Sequence, residues 1–376
     1  MTSRRLRILV LSASALLAFT AAAFAQPAAR APQLAEQVFK NIQVLKGIPV
    51  DEFMDTMGMF SAATGLNCAH CHAIDNGAGW EAYATETPLK QTARRMLRMM
   101  NAINKDSFGG RQVVTCWTCH RGSQSPSSTP PMDMVYGDPV LYPADILPAQ
   151  SGGNVVPVDT VFQKYMDALG GAQRVAAITS YTAKGTSMLY GEVNNDQVEI
   201  NGKAPNQISM LVHEQEGDLA RVYDGRQAWV MLPLTVVGMY PLYGSALEGQ
   251  KMDGQFFFPA GIKGALNNWK SSYPITLDGK DMNVVQGNGA NGLVVTLYFD
   301  KQTGLLRRAI RYITSAMGRV PTQFDYSDYR AVNGVQMPFK FTYAWISGRE
   351  DYTLTDIQAN TNPPAAKFAK PVQRTK

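Results

Sequence analysis

Cys68-Ala69-His70-Cys71-His72 and Cys116-Trp117-Thr118-Cys119-His120 share one pattern, C-x-x-C-H, and the rest of the chain is read outward from them. Together they use all four cysteines and two of the four histidines. Thiols three residues apart sit on one tight turn and reach one edge of a flat ligand. Each can add across a porphyrin vinyl group, and the histidine that follows can turn its imidazole onto the iron. A single C-x-x-C also suits half a zinc site or a redox dithiol, and four cysteines in an exported chain can form two disulfides in any of three pairings. None of these alternatives explains why His72 and His120 follow the second cysteine both times. The repeat therefore predicts two covalently bound haem c groups, with thioethers at Cys68, Cys71, Cys116 and Cys119 and proximal histidines at His72 and His120.

The 376 residues are long enough for two domains, and 45% hydrophobic with 17% charged residues is a globular composition. The start is distinct. Arg4, Arg5 and Arg7 precede an apolar run from Ile8 to Phe24 that ends Ala23-Phe24-Ala25, which predicts a signal peptide over residues 1–25 and a periplasmic product. An uncleaved anchor helix is the alternative. Cleavage removes three arginines and no acids, so the net charge falls from +5 to +2. Four haem propionates then bring the loaded protein to near neutral or slightly acidic, and the basic balance gives no argument for nucleic acid.

Residues 26–122 read as an all-α di-haem domain. Leu34, Val38 and Ile42 have helical spacing, Pro49-Val50-Asp51-Glu52 starts a second helix that Gly65 can stop, and Thr87-Pro88 caps a third. Each motif is thus preceded by a methionine-bearing helix. A thioether is a good sixth ligand to haem iron, but methionine is also common core filler. Spacing alone does not choose among Met54, Met57 and Met59, or among Met96, Met99 and Met100. His70 reads as a solvent-side spacer, Trp80 and Trp117 as haem-pocket packing, and Arg94, Arg95 and Arg98 as a solvated face or as partners of propionates.

From Phe39 to Gly122 the chain resembles the cytochrome c subunit of photosynthetic reaction centres. The resemblance rests on Met57-Gly58-Met59-Phe60-Ser61, Gly65-Leu66-Asn67, Thr87-Pro88, Ala93-Arg94-Arg95-Met96-Leu97, Ala102-Ile103-Asn104 and Val114-Thr115-Cys116-Trp117-Thr118-Cys119-His120-Arg121-Gly122. It implies that Met57 caps the first iron opposite His72, and Met96 the second opposite His120. It also implies an electron-transport role, with periplasmic or membrane-bound redox proteins, a photosynthetic reaction centre among them, as partners. Members of that family typically hold four haems, and many carry a lipid anchor; this chain has two motifs and no cysteine near its start.

Residues 123–157 are rich in Ser, Pro and Gly and read as a linker. Val158 to Leu169 predicts a short helix. The pattern then turns to strands: Ser180 to Tyr190, Gln207 to Glu214, Leu219 to Tyr223, Val294 to Phe299, Leu306 to Ile313 and Phe339 to Trp345. The pairs Asn201-Gly202, Asp224-Gly225, Asp278-Gly279 and Asn333-Gly334 predict turns. Residues 158–362 therefore read as an antiparallel β domain of eight to eleven strands, with a helical insert between Pro233 and Leu266 and a flexible tail over 363–376. This α+β pairing of a di-haem domain with a sheet weakly resembles, in its second half, the half-barrels of lipoprotein carriers. That resemblance implies an apolar cleft for a lipid or quinone, unless the insert simply fills it as core. His213 reads as a packing or solvent residue, and no catalytic constellation is present.

The expected function is a periplasmic di-haem cytochrome that carries single electrons and is not an enzyme. The rivals are a haem enzyme of peroxidase or quinol oxidase type with one open axial site, and an apolar-ligand-binding protein with a redox-active haem module.

Overall fold

A computed structural model describes residues 31–74, 79–130, 132, 155–233 and 235–372. The predicted signal peptide and most of the linker lie outside the described residues.

Helices come first among the described residues. α1 is Ala35–Val38, α2 Val50–Thr64, α3 Cys68–Cys71, α4 Pro88–Phe108 and α5 Cys116–His120, with a 3-10 turn at Trp80–Ala84 before α4. The stop and start signals act as their chemistry requires. Gly65 ends α2 at φ 70°, and Thr87 caps α4 by accepting the Lys90 amide N–H through its hydroxyl. The first helix is shorter than its spacing predicts. Phe39 is extended and Asn41 has φ 59°, so Ile42 never joins Leu34 and Val38 on a helical face.

After α6 (Val158–Ala168) and α7 (Ala172–Ala176), fourteen strands among the described residues form one open antiparallel sheet. They are β1 Ser180–Leu189, β2 Asp196–Lys203, β3 Gln207–Glu214, β4 Gly217–Tyr223, β5 Ala228–Met231, β6 Met239–Leu242, β7 Asn267–Ser271, β8 Ile275–Leu277, β9 Lys280–Asn288, β10 Val294–Asp300, β11 Leu306–Ser315, β12 Gly318–Val332, β13 Val335–Trp345 and β14 Gly348–Ala359. The strand order is β6-β5-β4-β3-β2-β1-β14-β13-β12-β11-β10-β9-β7, with β8 also on β9. The chain is therefore α+β, with more strands than the eight to eleven expected, because β5, β6, β7 and β8 are too short to show an alternating pattern.

Three of the four expected turns are present. Asp278-Gly279 and Asn333-Gly334 have positive φ at both residues, the primed hairpin geometry. Asn201-Gly202 is a correction: both residues lie inside β2. Gly202 is needed there because a Cβ would run into the Tyr181 ring on the neighbouring strand.

The insert forms α8 (Gly244–Phe256), which packs on β3, β4, β5 and β11. β3 and β11 are six positions apart, about 29 Å in a flat sheet at roughly 4.8 Å per strand. A helix about 10–12 Å across touches both only if the sheet curls around it. The sheet is therefore a trough with α8 in its mouth, and Phe256, Phe324, Phe341 and Tyr343 pack inside. A cavity beside α8, lined by Tyr165, Phe257, Tyr326, Tyr329 and Met337, has a volume of about 50 Å³. Ligand pockets run from about 300 to 1,000 Å³, so this one is core with little room. The expected tail carries a 3-10 turn at Ala365–Phe368 and is pinned by Phe368, which is buried.

Candidate haem-binding site

Both C-x-x-C-H stretches fold as single helical turns, so each cysteine pair lies on one side of a turn. All four cysteines are unbridged, and Cys68 and Cys119 are exposed. Among the described residues, no three His, Cys, Asp or Glu side chains gather into a metal-binding group, whereas a structural zinc needs four ligands in a tetrahedron.

The two histidines carry the clearest local signal. His72 donates from Nδ1 to the Tyr83 carbonyl at 3.0 Å, and His120 donates from Nδ1 to the Ser123 carbonyl at 3.0 Å. A carbonyl can only accept, so Nδ1 holds the proton and Nε2 keeps its lone pair for a metal. Burial pushes the His72 imidazole below its ordinary range, against the Tyr83 carbonyl, which favours the proton; this keeps the ring neutral. Tyr83 lies across His72 with ring centroids 4.8 Å apart, and Trp80 lies against Tyr83. Trp80 and Trp117 are both exposed on short helical turns, Trp80 in the 3-10 turn before α4 and Trp117 within α5. His70 is exposed, with Nδ1 on the Asn67 side chain at 2.6 Å.

The structure sorts the methionines that spacing left open. On α2, Met59 is 5% exposed and lies in the main core, and Met54 packs against that core. Met57 is half-buried, outside that core, and about 200° round the helix from Asp55. On α4, Leu97, Met100 and Asn104 are buried, and Met99 is exposed. Met96 lies half-buried on the flank of that face.

The two units interlock. α2 packs on α5, and α4 packs on α3. The Gly122 amide, after the second motif, donates to Ala63 near the end of α2 at 2.8 Å, while the Thr87 hydroxyl, at the start of α4, donates to the Cys71 carbonyl at 2.8 Å. Asn104 clamps the entry to the second motif. Its amide donates to the Val114 carbonyl at 2.7 Å, and its oxygen accepts the Val113 and Val114 amides at 3.0 and 2.9 Å. The residues fit a covalent haem: cysteine pairs on exposed turns, a neutral imidazole with free Nε2, and a methionine helix that packs on the other unit's motif instead of closing on its own.

Sequence reasoning missed how α2 sits on the sheet. Asp51 and Glu52 have the look of ordinary first-turn acids. Asp51 is buried and accepts the Tyr243 amide at 2.7 Å, and Glu52 accepts the Ala316 amide. Gly58 meets the β13–β14 turn, where a Cβ would come 2.5 Å from Ile346 Cγ2. Asp55 feels the charge of Arg311, whose guanidinium forks onto Asp253 at 2.5 and 2.8 Å in the sheet interior. No local pattern reveals these pairs, because the partners of α2 lie roughly 190 to 290 residues away in the chain. The α4 cations are also partly engaged: Arg94 pairs with Glu86 at 2.5 Å, and Lys90 donates to the Tyr83 and Thr85 carbonyls. His213 Nδ1 lies 2.9 Å from Asp218 Oδ1 across β3 and β4.

Residues 12–134 match the family described as photosynthetic reaction centre cytochrome C subunit. The N-terminal segment resembles that family. The photosynthetic reaction center cytochrome c subunit of Thermochromatium tepidum is 35% identical over 96 residues, which is 24% of this chain and 22% of that protein. The same subunit of Roseobacter denitrificans is 34% identical over 103 residues, 25% of this chain and 27% of that protein. Cytochrome c-554 of Chloroflexus aurantiacus is 32% identical over 108 residues, 24% of this chain and 25% of that protein. The chain thus spans about a quarter of the length of these relatives, and the segment that matches the family ends at residue 134, before the sheet begins at Ser180. Among solved structures, a LolA superfamily protein from Nitrosomonas europaea aligns over 57% of this chain and 99% of its own, with TM-score 0.38 and 15% identity. A DUF1329 family protein from Desulfovibrio piger aligns over 57% and 97%, with TM-score 0.38 and 13% identity.

Proposed function

We propose that this protein is an exported, periplasmic di-haem c-type cytochrome that passes single electrons between redox partners and catalyses no reaction of its own. The observation that carries the reading is the repeated geometry at His72 and His120, each with Nδ1 spent on a backbone carbonyl and Nε2 left for iron. Cys68 and Cys71 would hold the first haem, and Cys116 and Cys119 the second. Met57 and Met96, the two candidate methionines standing half-buried outside the main core, would complete the axial pairs. Haem supplies a reversible one-electron couple, and filling both axial positions from the chain leaves no iron site for substrate. The similar reaction-centre subunits make a membrane redox complex, a photosynthetic reaction centre among them, the partner to test first.

The experiment is carbon monoxide addition to the reduced mature protein. Two closed His/Met sites give slow or no binding at both haems. Rapid binding at either haem would favour the enzyme reading. No helix among the described residues is long and apolar enough to cross a membrane. The apolar-ligand alternative gains nothing from a cavity of about 50 Å³.

A further inference from the structure

We propose that the β11–β12 turn of the sheet is a positioning bracket that sets how the two haem units stand relative to each other. This inference rests on the di-haem reading above. The turn, Ser315-Ala316-Met317-Gly318, touches both units at once. The Ala316 amide donates to Glu52 on α2, the helix that carries Met57, while the Ala316 carbonyl accepts from the Gln112 side chain in the segment that leads into the second motif. Two residues further round the turn, Gly318 has φ 113° and lies against Thr115, the cap of α5; a Cβ on Gly318 would sit 2.7 Å from Thr115 Cγ2.

The turn is also tied within itself. Ser315 Oγ donates to the Gly318 carbonyl at 2.9 Å and accepts the Met317 amide at 3.1 Å, and Met317 is fully buried in the main core. A hydrogen-bonded turn anchored in the sheet therefore holds the ligand helix of one unit and the attachment turn of the other through Ala316 and its near neighbour Gly318. Two redox centres on short helices joined by loops need such an external reference, because their separation and mutual orientation fix how strongly each feels the other's charge. Ala316 and Gly318 act here through α2 and α5 and touch no ligand atom, so they are positioning residues.

The test is a redox titration of the full-length mature protein, produced in a host that matures c-type cytochromes, for wild type and for Gln112→Ala, Gly318→Ala, Glu52→Ala and Glu52→Gln. Gln112 is exposed and its loss changes no charge, so its variant keeps the test clear of folding failure. With both haems loaded, Gln112→Ala and Gly318→Ala should change the gap between the two midpoint potentials. Glu52→Gln and Glu52→Ala lose the same charge, but only Glu52→Gln keeps an acceptor for the Ala316 amide, so its gap should lie closer to that of wild type. Doubly loaded variants whose gap equals that of wild type would overturn the bracket while leaving the di-haem reading intact. A wild-type protein without two haems would overturn that reading instead.

Discussion

Gly65 and Gly122 stand so close that a Cβ on Gly65 would run into the Gly122 carbonyl oxygen. Gly65 has φ 70° and ends α2; Gly122 has φ 85° and follows the second motif. Their contact joins the end of α2 to the end of the second C-x-x-C-H turn. Gly65→Ala adds a backbone clash to left-handed strain, so it should destabilise by about 2–3 kcal/mol. Thermal unfolding measures this, and a midpoint within error of wild type would show that the contact gives way freely.

Asn104 is 6% exposed and makes three hydrogen bonds to the backbone of Val113 and Val114. At about 1 kcal/mol each, with a further cost for peptide groups left unpaired in part-buried surroundings, Asn104→Ala should cost about 2–4 kcal/mol. The loss should appear first as faster hydrogen exchange at residues 113–115.

The pH dependence follows from the buried acids. Burial pushes Asp51 up to about 6, against the Tyr243 amide, which favours its charged form. Burial pushes Asp55 up to about 7, with Asp51 adding and Arg311 opposing. Glu214 reaches about 7 through burial and its neighbours Glu350 and Asp196. Each acid binds its proton more tightly folded than unfolded, where carboxyls titrate near about 4. Their contribution is therefore full below about pH 4 and is lost as pH rises through about 6 to 7. Asp51→Asn keeps an acceptor for the Tyr243 N–H and cannot ionise. It should reduce the fall in thermal midpoint between about pH 4.5 and 8; an unchanged slope would contradict the assignment.

The methionines separate by substitution. Met57→Ala should open one axial position, lower that haem's potential and leave both thioethers in place, and Met96→Ala should do the same at the other haem. Met59→Ala, in the main core, should cost about 2–5 kcal/mol and leave carbon monoxide binding unchanged. The carbon monoxide spectra of the three reduced variants check this directly.

Local chemistry made much of this legible. Gly65, Thr87-Pro88 and the pairs Asp278-Gly279 and Asn333-Gly334 act through neighbours a few residues away, and the structure places them as their backbone preferences require. Asn201-Gly202 misled because Gly serves close approach as well as turns, and the ring it accommodates belongs to another strand. Asp51 and Glu52 look like ordinary acids at a helix start, and Asp55 has no local partner in the sequence. Their real neighbours, Tyr243, Arg311 and Ala316, are brought to them only by the curl of the sheet. The C-x-x-C-H repeat points to cysteines and histidines by itself, but spacing does not separate Met57 or Met96 from the methionines beside them; only the resemblance proposes those two.

The most direct test of the account is the intact mass of the mature protein made in a host able to attach haem c. The account predicts the polypeptide from residue 26 onward plus two haem groups that survive denaturation. A denatured chain with no added porphyrin would contradict it, whatever the potentials or partners turned out to be.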